Sequence, residues 1–143
     1  MKELIRNEII HLLVSVFFAL IFFPVLGLFQ GLAVSLLFGF FVDLDHLFDY
    51  GFYLKRKESK FSISQFIAGS YFTKCPFLTP LHSWELCLII FIIYLSTPNP
   101  YILLACLALT THLFIDQLTN NIVPLHWFLI YRLYLRKKEV QYK

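Results

Sequence analysis

The chain has 143 residues, of which 59% are hydrophobic and only 15% are charged. Soluble domains carry about 45–50% apolar and about 25% charged residues, so this composition excludes an ordinary soluble domain and indicates one integral membrane domain, residues 1–143. The formal net charge is a modest +3, and membrane topology accounts for the basic residues, so no nucleic-acid partner is predicted.

The first predicted element is an apolar helix from about 9 to 29, preceded by two basic residues. This run is too long for the hydrophobic part of a signal peptide, and no small-residue cleavage site follows it. It is therefore predicted to be a retained membrane span. A brief break at Gln30 separates it from a second span, about 31–50.

Two further spans are predicted after a basic central segment. The third covers about 81–96 and the fourth about 100–118, with a turn at Pro98 between them. The third is short against the ~20 residues that usually cross a bilayer. The last apolar piece, about 122–135, mixes aromatic residues with Arg132 and is predicted to be an interfacial helix. The predicted fold class is an all-α integral membrane four-helix bundle with a cytoplasmic interfacial C-terminal helix.

The basic residues predict the orientation. All twelve Lys and Arg residues fall at the N-terminus, between the second and third spans, or in the C-terminal tail. The two other connections carry none. By the positive-inside rule, the three basic parts share the cytoplasmic side. The chain is therefore predicted to be a multi-pass protein of the cell (inner) membrane with both termini in the cytoplasm.

Acidic residues and histidines gather at the predicted cytoplasmic ends of all four spans. Pairs at i,i+3 or i,i+4 in the first, third and fourth spans share a helix face, and the stretch DLDHLFD in the second occupies half of the helix surface. A charged group inside a bilayer costs about 2.5–3.5 kcal/mol, and no basic residue accompanies these acids within the apolar segments. We therefore predict that a bound divalent cation, or a pair of them, neutralises the acids.

Several motifs occur in an order that resembles a known family. They are His11 in the first span, DLDH at 43–46, PLHSWEL at 80–86 and HLFIDQLT at 112–119. Over roughly residues 8 to 120 the chain resembles the YdjM-like family of LexA-regulated, inner-membrane-associated metal-dependent hydrolases. That family is distantly similar to zinc-dependent phospholipase C, which implies a phosphoester substrate. Many members carry an additional histidine-arginine pair shortly before the His-Ser pair, and this chain has Phe77 where that histidine would be. The resemblance thus implies that one potential ligand or phosphate-binding group is missing here.

The combined prediction is a membrane-bound metal-dependent hydrolase that acts on a phospholipid or another phosphoester at the cytoplasmic face. One to three cations are predicted, with zinc favoured and manganese or iron as alternatives. The predicted metal ligands are His11, Asp45, His46, His82, His112 and Asp116. Asp43 and Glu85 are the predicted catalytic residues, as alternative general bases.

Two other function classes remain open from the sequence. Intramembrane acids and histidines also mark ion pathways, so an ion or proton transporter is one alternative. Against it, the polar residues lie at one side and leave the other half of each span apolar. The second alternative is a non-catalytic metal-binding protein, in which the cation only holds the helix ends together. Membrane lipids are predicted partners in each case, and the oligomeric state is left open.

Overall fold

The computed structural model describes residues 2–57, 59–67, 79–120 and 123–141. Those residues form α-helices and two 3-10 turns with no strand among them, which confirms the predicted all-α class. The α-helices of the described residues are α1 (Lys2–Leu26), α2 (Leu28–Gly39), α3 (Asp45–Lys57), α4 (Ile63–Ile67), α5 (Trp84–Ser96), α6 (Pro100–Thr119) and α7 (Leu129–Gln141). The 3-10 turns are Phe41–Leu44 and Pro124–Trp127.

Two helices are long and apolar enough to cross a membrane. They are Arg6–Leu26 within α1 and Pro100–Thr119, which is α6. A third candidate is the bent pair Leu28–Gly39 and Phe41–Lys57, whose parts meet at 47°. The span predicted over about 31–50 is therefore not one continuous helix, because α2 ends at Gly39 and a 3-10 turn follows.

The predicted third span is also shorter than a full crossing. Helix α5 has 13 residues, a rise of about 20 Å against a hydrocarbon core of about 30 Å. The described part of the chain thus contains two candidate spans, or three if the bent pair is one, rather than four full spans. Membrane association follows from these helices, whereas a regular four-helix bundle does not.

Helices α1 and α2 form a hairpin that turns at Gly27, whose φ of 76° is a conformation that glycine adopts readily. Beyond the turn the two helices pack closely on small residues. A Cβ on Gly31 would lie 3.1 Å from the carbonyl oxygen of Ala19, and a Cβ on Gly39 would lie 2.5 Å from Oγ of Ser15. The end of α2 therefore lies beside the middle of α1.

Helix α6 lies at the centre of the fold and packs against α1, α2 and α5. Its start is well defined, because the side chain of Asn99 accepts a hydrogen bond from the Tyr101 N–H at 2.8 Å and Pro100 occupies the first turn. A small apolar core lies between α6 and its neighbours: Val42, Cys87, Leu109, Leu113 and Trp127. Large apolar side chains of α1 and α5 stay exposed, as contact with lipid requires.

The C-terminal helix differs from its prediction. A 3-10 turn, Pro124–Trp127, comes first, and α7 then continues to Gln141, well past the predicted end at 135. The predicted start at 122 and the position of Phe77 both lie outside the described residues.

Candidate metal centre

Three separate parts of the chain bring four polar side chains together. Asp43 comes from the 3-10 turn after α2, His82 from the turn before α5, and His112 and Asp116 from successive turns of α6. Each offers one ligand atom, and all four atoms lie within 4.8 Å of one another. We call these four residues the metal cluster.

The atoms of the metal cluster have the spacing of ligands around a single cation. Nε2 of His82 lies 3.2 Å from Nε2 of His112 and 2.9 Å from Oδ1 of Asp43. Oδ2 of Asp116 lies 3.4 Å from Nε2 of His112 and 3.9 Å from Nε2 of His82. Ligands of a tetrahedral zinc with bonds of about 2.0–2.1 Å lie about 3.3–3.4 Å apart. The observed separations bracket that value, so these residues fit the predicted cation.

Both imidazole rings are oriented through the nitrogen that faces away from the cluster. Nδ1 of His112 donates a hydrogen bond to the carbonyl oxygen of Gly39 at 3.1 Å. Nδ1 of His82 lies 2.9 Å from Oδ1 of Asp45, although its N–H does not point along this contact, so the carboxylate orients the ring by charge. Both arrangements favour a proton on Nδ1 and leave Nε2 with its lone pair, as metal-binding histidines require.

The metal cluster is desolvated on one side and more open on the other. The side chains of His82 and His112 are 2% and 0% exposed, and that of Asp116 is 11% exposed. The side chains of Asp43 and His46 are 24% and 22% exposed. The contacts of Asp43 and Asp116 are with histidines, which are positive only when protonated. A bound cation or a proton must therefore balance these acids.

The structure places His11 next to the metal cluster, on the side of Asp116 that faces away from the other members. Nε2 of His11 lies 3.1 Å from Oδ1 of Asp116, the oxygen opposite the one that faces the cluster. The His11 ring also packs against that of His112, with ring centroids 4.0 Å apart and the planes tilted by 31°. This geometry suits a residue that holds Asp116 in place rather than a ligand of the same cation.

Asp45 and His46 form a second group of potential ligands with His82, again with all ligand atoms within 4.8 Å. Oδ2 of Asp45 accepts the backbone N–H of Leu81 at 3.0 Å, and Nε2 of His46 lies 3.7 Å from Oδ1 of Asp43. Because His82 belongs to both groups, the two candidate positions are adjacent. All six predicted ligands therefore lie in or next to one site.

Glu85 lies elsewhere and has a different contact. Its two carboxylate oxygens accept the backbone N–H groups of Leu129 at 2.9 Å and Ile130 at 3.0 Å, at the start of α7. Burial raises the pKa of Glu85, but these bonds and the charge of Arg132 outweigh it and hold the pKa below its ordinary value. Both oxygens of Glu85 are thus engaged at the start of α7, whereas Asp43 lies within the metal cluster.

Arg132 contacts the turn that carries His82, and the sequence did not predict this contact. The predicted interfacial helix would place Arg132 at the membrane surface, yet it is 2% exposed. Its Nη2 donates to the carbonyl oxygen of His82 at 2.8 Å, and its Nη1 donates to Oγ1 of Thr79. The only sequence signal was a lone cation among apolar residues in LIYRLYL, which is also typical of an interfacial helix.

Comparisons of the chain with protein-family models, curated proteins and solved structures find no match. The resemblance to the YdjM-like family, and the hydrolase activity that it implies, therefore stay predictions from the motifs. The geometry itself supports a buried His/Asp cluster that can hold a metal ion.

Proposed function

We propose that the protein is a membrane-embedded metal-dependent hydrolase that cleaves a phosphoester, with a phospholipid as the substrate class, at the cytoplasmic face of the cell membrane. The observation that carries this proposal is the metal cluster, with two imidazole nitrogens and two carboxylate oxygens spaced as ligands of one cation. Its association with membrane-length apolar helices supports a substrate that is itself part of the membrane.

The difference in exposure across the metal cluster supports a catalytic arrangement. Catalytic zinc sites use three protein ligands and keep a fourth position for water. His82, His112 and Asp116 are the three most buried members of the cluster and serve as these ligands. Asp43 borders the more open side, where a water and a substrate would approach.

The chemistry then divides between the cation and the protein. A divalent cation held by His82, His112 and Asp116 would lower the pKa of a bound water to about 7 and polarise the phosphoryl oxygen. Asp43 would accept a proton from the attacking water while the water oxygen bonds to phosphorus and the ester P–O bond breaks, and the alcohol would leave with a proton. His11, with Nε2 at hydrogen-bond distance, 3.1 Å, from the second oxygen of Asp116, would hold that carboxylate in place.

The basic end of helix α3 supports the proposal that the substrate is anionic. It begins with Asp45 beside the metal cluster and ends in the exposed basic run Lys55, Arg56 and Lys57. The distance along the helix is about 15–18 Å at 1.5 Å per residue. This places positive charge within reach of a phospholipid headgroup near the site, and each such charge contributes about 1 kcal/mol of attraction to an anionic surface.

One specific observation favours the non-catalytic alternative. Oδ1 of Asp43 lies 2.9 Å from Nε2 of His82, close enough for Asp43 to be a fourth ligand. Four protein ligands would close the site, as in structural zinc sites. The two functions therefore differ in what Asp43 does.

The test compares metal content, Zn²⁺ affinity and hydrolysis of phospholipid phosphoesters in the wild type, Asp43→Asn and His112→Ala. We expect His112→Ala to lose the metal, because it removes a buried ligand. Asp43→Asn should keep Zn²⁺ affinity within about threefold and lose about 10²–10⁴-fold in rate, the usual contribution of a general base. Ser96→Ala, an exposed change at the opposite end of α5, is the control and should match the wild type.

Two results would count against the proposal. If Asp43→Asn loses its metal together with His112→Ala, Asp43 is a ligand and the closed, non-catalytic site is correct. If the wild type takes up no divalent cation when Zn²⁺, Mn²⁺ and Fe²⁺ are all supplied, the metal site itself is refuted.

A further inference from the structure

We propose that α7 acts as a clamp on the turn that carries His82, and that Arg132 is a positioning residue for this ligand. The inference rests on the proposed function, because it takes His82 as a ligand of the cation. It adds a dependence of the metal site on a helix that contributes no ligand and begins 47 positions later in the chain, at Leu129.

The guanidinium of Arg132 makes two directed contacts with the turn. Nη2 donates to the carbonyl oxygen of His82 at 2.8 Å, and Nη1 donates to the hydroxyl of Thr79. Both hydrogen bonds are buried, where a lost partner costs more than at the surface. Because the planar guanidinium holds both acceptors at once, it fixes the two ends of the turn relative to each other.

The turn needs such support because its backbone is strained. Thr79 has a φ of 24°, a conformation that β-branched residues rarely adopt. Its carbonyl oxygen accepts the His82 N–H at 3.0 Å, which closes the turn. On the α3 side, Oδ2 of Asp49 accepts the Thr79 N–H at 2.9 Å, and Oδ2 of Asp45 accepts the Leu81 N–H at 3.0 Å. The turn is thus held by α3 on one side and by Arg132 on the other.

Helix α7 is itself fixed to the segment that it holds. Glu85, three residues after His82, accepts the first two backbone N–H groups of α7, those of Leu129 and Ile130. This contact sets where α7 begins, and Arg132 follows within the first turn. A shift of α7 would therefore move the guanidinium of Arg132 together with the backbone of the turn that carries His82. The ring of His82 then keeps its orientation towards the other members of the metal cluster.

A role as a positive charge and a role as a positioning residue predict opposite changes in cation affinity when Arg132 is removed. Its guanidinium interacts electrostatically with Asp45, Asp49 and Glu85, the acids around the ligand turn. If Arg132 acted only as a positive charge, its removal would leave these acids uncompensated and strengthen the binding of another cation. If it positions His82, its removal loosens a ligand and weakens cation binding, typically by 10–100-fold for a residue that supports a metal-bound histidine. The sign of the change separates the two.

The experiment measures Co²⁺ binding to the full-length protein in detergent, by affinity and by the visible absorption spectrum, which reports the geometry of the ligands. Arg132→Met keeps the length of the side chain and removes its donors, and we expect 10–100-fold weaker binding with an altered spectrum. Arg132→Lys keeps the charge and loses the fork, so an intermediate loss is expected. Arg136→Met, one turn further along α7 and exposed, is the matched control and should equal the wild type.

Thr79→Val gives an independent variant in case Arg132→Met does not fold. It keeps the shape of the turn, removes the hydroxyl acceptor, and should weaken Co²⁺ binding in the same direction. Wild-type affinity and spectrum in Arg132→Lys and Thr79→Val would overturn the inference even if both variants melt earlier. Tighter binding by Arg132→Met would also overturn it, in favour of a pure charge effect. A wild type that binds no Co²⁺ would refute the proposed function instead, and the clamp with it.

Discussion

At the scale of single residues, the contact between His82 and His112 explains why the metal cluster needs a positive charge. Their Nε2 atoms are 3.2 Å apart, and Nδ1 of each ring lies close to an oxygen, of Gly39 for His112 and of Asp45 for His82. Two lone pairs at this distance repel, so either a cation or an additional proton must lie between them. Burial lowers the pKa of His82, but the carboxylates of Asp43 and Asp45 outweigh it and raise the pKa to about 9.

We therefore predict that metal binding at pH 7 releases a proton. The raised pKa means that His82 keeps its proton below about pH 9, and a cation that uses Nε2 must displace this proton. The apparent Zn²⁺ affinity should rise by about tenfold per pH unit between pH 6.5 and 8.5, and level off near the pKa. Calorimetry in buffers of different ionisation enthalpy counts the released protons. A count of zero at pH 7 would contradict this prediction.

At the scale of helices, Gly39 connects packing with the site. It is the last residue of α2, its missing side chain lets Ser15 of α1 approach, and its carbonyl oxygen accepts the Nδ1 proton of His112. A side chain at this position would push α2 away from α1, and the acceptor for His112 would move with it. The close contact of α1 and α2 is thus a condition for the geometry of the metal cluster.

Gly39→Ala is predicted to destabilise the protein by about 1–3 kcal/mol, the usual effect of overpacking. The new Cβ would lie 2.5 Å from Oγ of Ser15 but 3.6 Å from its Cβ, which is an ordinary contact. The double variant Ser15→Ala/Gly39→Ala should therefore recover most of the loss in thermal unfolding experiments. Gly51→Ala is the control, because a Cβ there meets nothing within 4 Å and should be neutral or slightly stabilising. Equal effects of Gly39→Ala and Gly51→Ala would rule out the steric explanation.

The same helices show what the sequence could predict and what it could not. The grouping of His11, His82, His112 and Asp116 was predictable, because polar residues in apolar helices are costly and share one depth. The bend after Gly39 was not, since the apolar run continues through FGFFV and hydropathy alone does not record a change of direction. The contacts of Glu85 and Arg132 were not predictable either. Their partners lie 44 to 53 residues away in sequence, and only the tertiary fold decides them.

At the scale of the whole molecule, the path of the chain is set by the bent pair α2 and α3, which is either one broken span or a re-entrant loop. The contact of Gly39 with Ser15 brings the end of α2 back to the middle of α1. From Ser15 to Leu26 the rise is about 16 Å, so α2 retraces about half of the candidate span Arg6–Leu26 before the bend. The bend of 47° leaves α3 running on in roughly the direction of α2. We therefore predict a broken span.

This path predicts opposite membrane sides for Gln30 and Ser59. Gln30 lies in the first turn of α2, beside the hairpin turn, and Ser59 follows the basic end of α3; both are exposed. The positive-inside rule assigns the basic end to the cytoplasm. In a variant without its natural cysteines, Gln30→Cys should react with a membrane-impermeant maleimide in intact spheroplasts, and Ser59→Cys only after permeabilisation. If both cysteines react from outside, the bent pair is a re-entrant loop. The metal cluster, which lies beside His11 in the part of α1 far from Gln30, would stay in the cytoplasmic half of the membrane in either case.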